Sequence, residues 1–129
     1  PVKEEKLVCL RNNRQKGLLN GSTWTVKLVG ERSGEFVHMR VAPEEGVGAT
    51  VKVVVPRGFF DGIGEEIPWE IRRHVEEFDY GYALTVHKAQ GSQWDRIVLF
   101  DESFAFREHR ARWLYTAVTR AAKAITVVV

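Results

Sequence analysis

The chain has little cysteine and no long apolar run, and both absences limit what it can be. Its 129 residues include a single cysteine, Cys9, which excludes an internal disulfide and any metal site built from several cysteines. No stretch approaches the roughly 18 consecutive apolar residues that a membrane-spanning helix requires. We therefore expect a folded, cytoplasmic protein in which Cys9 is a small buried apolar residue.

The sequence also lacks a Gly-x-x-x-x-Gly-Lys-Ser/Thr loop, the usual cradle for the β- and γ-phosphates of a nucleoside triphosphate. Taken alone, this absence argues against a nucleotide-hydrolysing enzyme. The remaining composition is that of an ordinary folded domain, with 44% hydrophobic and 28% charged residues. A formal net charge of +2 permits a polyanionic partner without indicating one.

Short apolar runs predict strands in the first half of the chain. One buried strand and three alternating strands are expected, at residues 6–11, 23–29, 35–41 and 50–55. Tight connections at residues 30–34 and 42–48 make antiparallel pairing the natural arrangement of the last three strands. We therefore expect a small β-barrel or β-meander here.

The second half of the chain alternates strand and helix patterns. Pro68 is placed to begin a helix, since proline is tolerated at the first helical position. Beyond it, strands are expected at residues 81–84, 96–100 and 124–129, with an amphipathic helix between residues 106 and 122. This alternation is typical of an α/β layer with a parallel sheet.

A cluster of polar groups follows the expected strand at residues 81–84. Its members are Thr85, His87, Lys88, Gln90, Ser92 and Gln93. Ligands of open α/β sheets bind beyond the carboxyl ends of strands, and Gly91 allows a close backbone approach or a positive φ. An ordinary polar loop, with Thr85 capping a helix and a structural His87, explains the same residues.

Arg120 is the second candidate for phosphate binding. If the helix reaches it, Arg120 lies about 20° from Trp113 around the helix axis, at the edge of the apolar stripe. From there an arginine can donate two parallel hydrogen bonds to a phosphate. The alternative is a cation that interacts favourably with the dipole at a helix C-terminus.

Two segments carry a resemblance to a known family. Residues 82–95 (Tyr-Ala-Leu-Thr-Val-His-Lys-Ala-Gln-Gly-Ser-Gln-Trp-Asp) resemble motif V, and residues 114–121 (Leu-Tyr-Thr-Ala-Val-Thr-Arg-Ala) resemble motif VI, of superfamily 1 DNA helicases. The wording of the first segment is closest to the RecD-like branch, within the UvrD-like C-terminal family. Residues 11–21 look like the segment that leaves the second motor domain of that branch.

The resemblance implies a fold and a division of the chain. Residues 1–22 and 76–129 would be the later part of a second RecA-like domain, an α/β domain with a parallel sheet. Residues 23–75 would be an inserted Src-homology-3-like barrel with a connecting helix. The parent enzyme would translocate along single-stranded DNA as ATP is hydrolysed, with the RecD-like wording suggesting 5′ to 3′ movement.

The resemblance also implies roles for individual residues. Thr85 and His87, with Lys88 as a further contributor, would hold phosphates of single-stranded DNA. Gly91, Ser92 and Gln93 would lie beside the nucleotide, with Gln93 standing where the family often has glutamate. Arg120 would be the catalytic arginine that stabilises charge on the γ-phosphate.

ATP and Mg²⁺ would be bound mainly by the P-loop motor domain of the same full-length protein, and no resident metal or membrane partner is implied. Because the P-loop is missing here, we expect the chain alone to be inactive as an ATPase.

Two interpretations that assign the chain to other classes of protein stay open. The first is a non-catalytic single-stranded nucleic-acid-binding module that stacks bases on Trp24 or Phe36. The second is a degenerate helicase domain kept for protein interaction.

Overall fold

The computed structural model describes residues 1–30, 34–44 and 48–129. These residues form two compact units, Pro1–Ala83 and Leu84–Val129, each with its own hydrophobic core. Neither contains, in the described ranges, a helix long and apolar enough to cross a membrane. The architecture is mixed α/β, with an antiparallel sheet in the first unit and a small parallel sheet in the second.

The first unit is built on a five-stranded antiparallel sheet. Its strands are β1 (Lys6–Cys9), β2 (Thr23–Val29), β3 (Phe36–Pro43), β4 (Val51–Pro56) and β5 (Phe78–Tyr80). They lie in the order β4-β3-β2-β1-β5, and each neighbouring pair is antiparallel. Among the described residues the sheet is open, with β4 and β5 at its edges, so the expected barrel does not close.

Alternation of side chains explains why these segments form strands. In β3, Val37, Met39 and Val41 are buried while His38 and Arg40 are exposed. This period of two places one face of the sheet in the core and the other in solvent. The four strands predicted in this half are confirmed within a few residues, whereas the predicted connections 30–34 and 42–48 fall partly on residues 31–33 and 45–47, outside the described ranges.

Two residues singled out from the sequence are buried in the first unit. Cys9 is fully buried and its thiol donates to the carbonyl oxygen of Arg11 at 3.1 Å, and burial raises the pKa of this thiol. Trp24 is 5% exposed, and its Nε1 donates to the Ser22 hydroxyl at 2.8 Å. The prediction that Trp24 stacks on bases is therefore wrong, because its ring faces the core.

The helix expected from Pro68 begins as predicted but is short. It is α1, residues Trp69–Arg72, with Pro68 as its N-cap. The chain then turns at residues 73–75 and enters β5, which pairs with β1. Phe78 is fully buried in this strand.

The second unit packs one helix on a two-stranded parallel sheet. Its α-helices and strands are α2 (Val86–Ala89), β6 (Trp94–Phe100), α3 (Arg110–Val118) and β7 (Ala121–Val128), and a 3-10 helix covers Ser103–His109. Strands β6 and β7 pair in parallel, with Ile97 opposite Ile125. Leu99, Trp113 and Ala117 form the core, and Ile125 packs against it.

Two boundaries in this half differ from expectation. Residues 81–84 form no strand, since the strand before the polar loop is β5 in the antiparallel sheet. Helix α3 ends at Val118 and β7 begins at Ala121, so Arg120 lies in the turn between them. The Arg120 carbonyl accepts a hydrogen bond from the Trp94 amide at 2.9 Å, which commits this backbone to the sheet instead of the helix.

Candidate functional site

Arg120 brings the two motif-like segments together. Its Nη1 donates to the Ser92 carbonyl oxygen at 2.9 Å, which ties the turn after α3 to the loop before β6. Its Nε donates to the Thr116 carbonyl oxygen at 3.0 Å, and its Nη2 donates to the Thr119 hydroxyl at 3.1 Å. The guanidinium is therefore held in one orientation by three hydrogen bonds from three different nitrogens.

A second hydrogen bond joins the same two segments. The side-chain Nε2 of Gln93 donates to the Thr119 carbonyl oxygen at 3.2 Å. Ser92 and Gln93 immediately precede β6, just as Thr119 and Arg120 immediately precede β7. Because β6 and β7 are parallel, their amino ends meet at one edge of the sheet, and the site forms there.

This location corrects the reasoning that placed the loop beyond the carboxyl end of a strand. The polar loop follows β5, a strand of the antiparallel sheet, and leads into the amino end of β6. The rule for ligands of open α/β sheets therefore does not apply to it. What assembles the site is the pairing of β6 with β7, not the strand before the loop.

Thr85 begins the short helix α2. Its backbone is extended (φ −68°, ψ 152°), and its Oγ1 accepts a hydrogen bond from the Lys88 amide at 3.2 Å. A threonine in this position satisfies one of the amides that a helix start leaves without a partner. The capping role proposed for Thr85 as the structural alternative is confirmed.

His87 and Lys88 lie on α2 and are exposed. The His87 ring is 5.6 Å from the Phe106 ring, which in turn stacks at 5.4 Å on Trp113 in the core. The imidazole thus packs against one aromatic ring while the residue as a whole stays exposed. Within the described ranges, no hydrogen bond links Thr85, His87 or Lys88 to Arg120.

Gly91 has a positive φ of 88°, and a Cβ built on it would meet no heavy atom within 4 Å. The glycine is thus required by backbone conformation and not by crowding, since residues with a side chain rarely adopt this φ. The positive φ expected at Gly91 is confirmed. It turns the chain between α2 and Ser92, whose carbonyl oxygen then faces Arg120.

The arrangement suits an anion more than a metal. A guanidinium has five N–H donors, of which Arg120 uses three within the described residues, so two stay available for an oxyanion. In the described part of the chain, no three His, Cys, Asp or Glu side chains are grouped so that they could hold a metal ion. The site can therefore contribute positive charge and N–H donors to a phosphate.

Both segments lie within a family match. Residues 80–128 match the model of the UvrD-like helicase C-terminal domain. The resemblance to superfamily 1 helicases is confirmed for this segment. The finer assignment to the RecD-like branch stays a prediction.

Comparison with individual proteins gives three further matches. An uncharacterized protein of Methanocaldococcus jannaschii is 37% identical over 54 residues, which are 42% of this chain and 5% of that protein. A Pif1 helicase from Bacteroides, solved in complex with ADP-AlF3 and single-stranded DNA, matches with a TM-score of 0.56 and 16% identity over 100% of this chain and 29% of its own. Another structure comes from work on DNA unwinding at forked double-stranded DNA by two Pif1 helicases. It matches with a TM-score of 0.55 and 19% identity, over 98% of this chain and 27% of its own.

These structures share the fold, and the chain spans less than a third of their length. Thr119 is a site residue that sequence reasoning missed, although it lies inside the motif VI segment. Its carbonyl and hydroxyl oxygens accept from Gln93 and Arg120 respectively. The signal was partly available, because residues 82–95 lead directly into one predicted strand and residues 114–121 end two residues before another.

Proposed function

We propose that the chain is the C-terminal part of an ATP-dependent DNA helicase of superfamily 1, in the RecD-like branch. In this proposal Arg120 is the catalytic arginine, acting on an ATP that the P-loop domain of the same full-length protein holds. The observation that carries the proposal is the 2.9 Å hydrogen bond from Arg120 to the Ser92 carbonyl, which unites the two motif-like segments around one guanidinium.

The proposed chemistry at Arg120 is electrostatic. Phosphoryl transfer spreads negative charge over the γ-phosphate oxygens, and a positioned arginine stabilises that charge without forming a covalent bond. The three hydrogen bonds made by Arg120 fix its direction in advance, and its two remaining donors can fork onto a phosphate. Mg²⁺ would accompany the ATP and be bound by the P-loop domain.

Gly91, Ser92 and Gln93 would lie beside the nucleotide. One N–H of the Gln93 amide is engaged with Thr119, which leaves its second N–H and its carbonyl oxygen to meet the nucleotide. That oxygen is an acceptor, as the carboxylate usual in the family would be, and it can receive a hydrogen bond from a sugar hydroxyl. The substitution of glutamine for glutamate therefore preserves acceptor chemistry while removing the charge.

Thr85, His87 and Lys88 would contact single-stranded DNA. All three are exposed at the start of α2, and their hydroxyl, imidazole and ammonium groups can each donate to a phosphate oxygen. A Pif1 helicase with the same fold has been solved with single-stranded DNA, which supports this choice of partner. Such contacts would be independent of base sequence and sensitive to salt.

Several finer parts of the proposal rest on the resemblance. Strands β2, β3 and β4 form an antiparallel meander. By the resemblance, this meander would be the Src-homology-3-like insertion and would guide the DNA strand. Movement from 5′ to 3′ and a role in repair or recombination are proposed on the same ground. The assignment of residues 1–22 and 76–129 to one motor domain also stays a prediction.

The test of Arg120 uses the full-length protein. We expect Arg120→Ala to lower the kcat of DNA-stimulated ATP hydrolysis by about 10³- to 10⁵-fold, as removal of an arginine finger does. Arg112→Ala, which changes an exposed arginine on α3, is the matched control and should leave kcat within about twofold. ATP binding, measured separately by equilibrium titration, should be weakened far less than turnover.

The 129-residue chain itself should not hydrolyse ATP at a useful rate. Hydrolysis by the purified chain that Arg120→Ala abolishes would show that it holds a complete site and would overturn the division of labour proposed here. Unchanged turnover and unwinding in full-length Arg120→Ala would favour a scaffold kept for protein interaction. Single-strand binding with no P-loop domain in the full-length protein would favour the non-catalytic binding module.

A further inference from the structure

An exposed tryptophan lies outside the site described above. Trp69, the first residue of α1, is 59% exposed, whereas the other tryptophan of the first unit, Trp24, is 5% exposed. The guanidinium of Arg11 lies 5.4 Å from the centroid of the Trp69 ring. The indole thus has a cation against it and most of its remaining surface in solvent.

The cation beside the ring is fixed by a buried carboxylate. Nη1 of Arg11 donates to Oε1 of Glu77 at 3.1 Å, and Nη2 donates to the Val75 carbonyl oxygen. Glu77 is only 5% exposed. Arg11 therefore cannot leave its position without breaking hydrogen bonds to a buried charged group, which is costly.

The same carboxylate holds a second arginine. Nε and Nη2 of Arg72 donate to Oε1 and Oε2 of Glu77 at 2.9 and 3.1 Å, and the Arg72 guanidinium lies 5.5 Å from the centroid of the Phe59 ring. Two arginines on one carboxylate leave this group of three with one excess positive charge. Of the two cations, Arg11 is the one that lies against the exposed ring of Trp69.

An aromatic face beside a fixed cation matches the two parts of a nucleotide, a flat base and a negative phosphate. Base stacking on aromatic side chains tolerates any base, which suits a protein that moves along DNA. We propose that Trp69 stacks on a base of single-stranded DNA, with Arg11 fixed beside the ring and near the adjoining phosphate. This inference rests on the proposed helicase function and adds a DNA contact in the first unit.

The test compares bases with bare backbone, using the 129-residue chain. Fluorescence anisotropy would give Kd for an oligodeoxythymidylate and for an abasic oligonucleotide of equal length, over a range of salt concentrations. We expect Trp69→Ala to weaken oligodeoxythymidylate binding by about 5- to 150-fold, the equivalent of 1–3 kcal/mol of stacking. The Kd for the abasic oligonucleotide should stay within about twofold of the wild-type value. The dependence of log Kd on log salt concentration should not change, because no phosphate contact is lost.

Two further variants sharpen the result. Trp69→Phe keeps an aromatic face and should retain most of the preference for bases. Ile71→Ala removes another exposed apolar side chain of the same helix and should bind as the wild type does. Circular dichroism of each variant would show that the fold is intact.

The outcomes separate this inference from the proposed function. If the wild type and Trp69→Ala bind oligodeoxythymidylate with equal affinity, the stacking contact alone is overturned, and the exposed ring would then be a candidate contact for a protein partner. Loss of affinity for both oligonucleotides in Trp69→Ala would also overturn it, since stacking requires bases. No binding of either oligonucleotide by the wild type would overturn both the stacking contact and the proposed DNA contacts of the chain, whereas the role of Arg120 is tested by ATP hydrolysis.

Discussion

Glu77 is expected to be the most sensitive charged residue of the first unit. It is 5% exposed and accepts hydrogen bonds from Arg11 and Arg72 at 2.9 to 3.1 Å. Removing one partner of a buried ion pair costs about 3–5 kcal/mol, because the other charge stays desolvated. The two arginine side chains keep 30% and 23% of their exposure, so water compensates part of that loss. For Glu77→Ala we expect about 2–4 kcal/mol of destabilisation.

The assay is urea unfolding followed by NMR amide signals of β1 to β4, which report on the first unit. The expected loss corresponds to a fall in Tm of roughly 8–30 °C for a unit of this size. Glu77→Gln keeps the volume and the acceptor oxygen and should lose less than Glu77→Ala. Glu70→Ala removes an exposed carboxylate from α1 and should change stability by no more than about 0.5 kcal/mol. A Glu77→Ala protein within 1 kcal/mol of wild type would refute the reasoning.

Two further changes test the backbone and the pH response. A Cβ added at Gly81 would lie 2.8 Å from the carbonyl carbon of Leu7. Gly81→Ala should therefore push β5 away from β1 and lower the urea concentration at the unfolding midpoint. An unchanged midpoint would contradict this, because it would show that β5 can shift at no cost in stability. Hydrogen bonds from the Ser103 side chain and amide lower the pKa of Asp101. Because the pKa of Asp101 is lower in the folded state, its carboxylate stabilises the protein at pH values above the unfolded-state pKa of about 3.9. This stabilisation is lost as the pH falls through the folded-state pKa. Ser103→Ala should therefore raise the Asp101 pKa in an NMR titration and weaken this acid-range dependence, and an unmoved pKa would contradict the assignment.

The antiparallel sheet could be predicted because its signal is local. Each of β2, β3 and β4 has one face in the core, so apolar and polar residues alternate along the sequence. Closure of a barrel depends instead on which edge strands pair, and no pattern within a single strand encodes that. The sequence therefore predicted the strands, while the open order of the sheet came only from the structure.

The end of helix α3, just before Arg120, could not be predicted from the sequence. An amphipathic helix was predicted between residues 106 and 122, and Trp113, Leu114 and Ala117 of α3 do pack in or against the second core. Periodicity alone would extend the helix further, but the Arg120 carbonyl pairs with the Trp94 amide and the chain enters β7. A backbone hydrogen bond between residues far apart in the sequence sets this boundary, and the helical pattern of apolar residues carries no information about it.

The structural and functional interpretations of the candidate site do not exclude each other. Thr85 caps α2 by accepting a hydrogen bond through Oγ1, which leaves its hydroxyl hydrogen to donate elsewhere. Arg120 ties two segments together with three donors and keeps two. Groups that hold the fold in this way are already oriented before a ligand arrives, so binding a phosphate would cost little ordering of the side chains. The bonds that explain these residues structurally are thus also what would make them effective toward a nucleotide or a DNA strand.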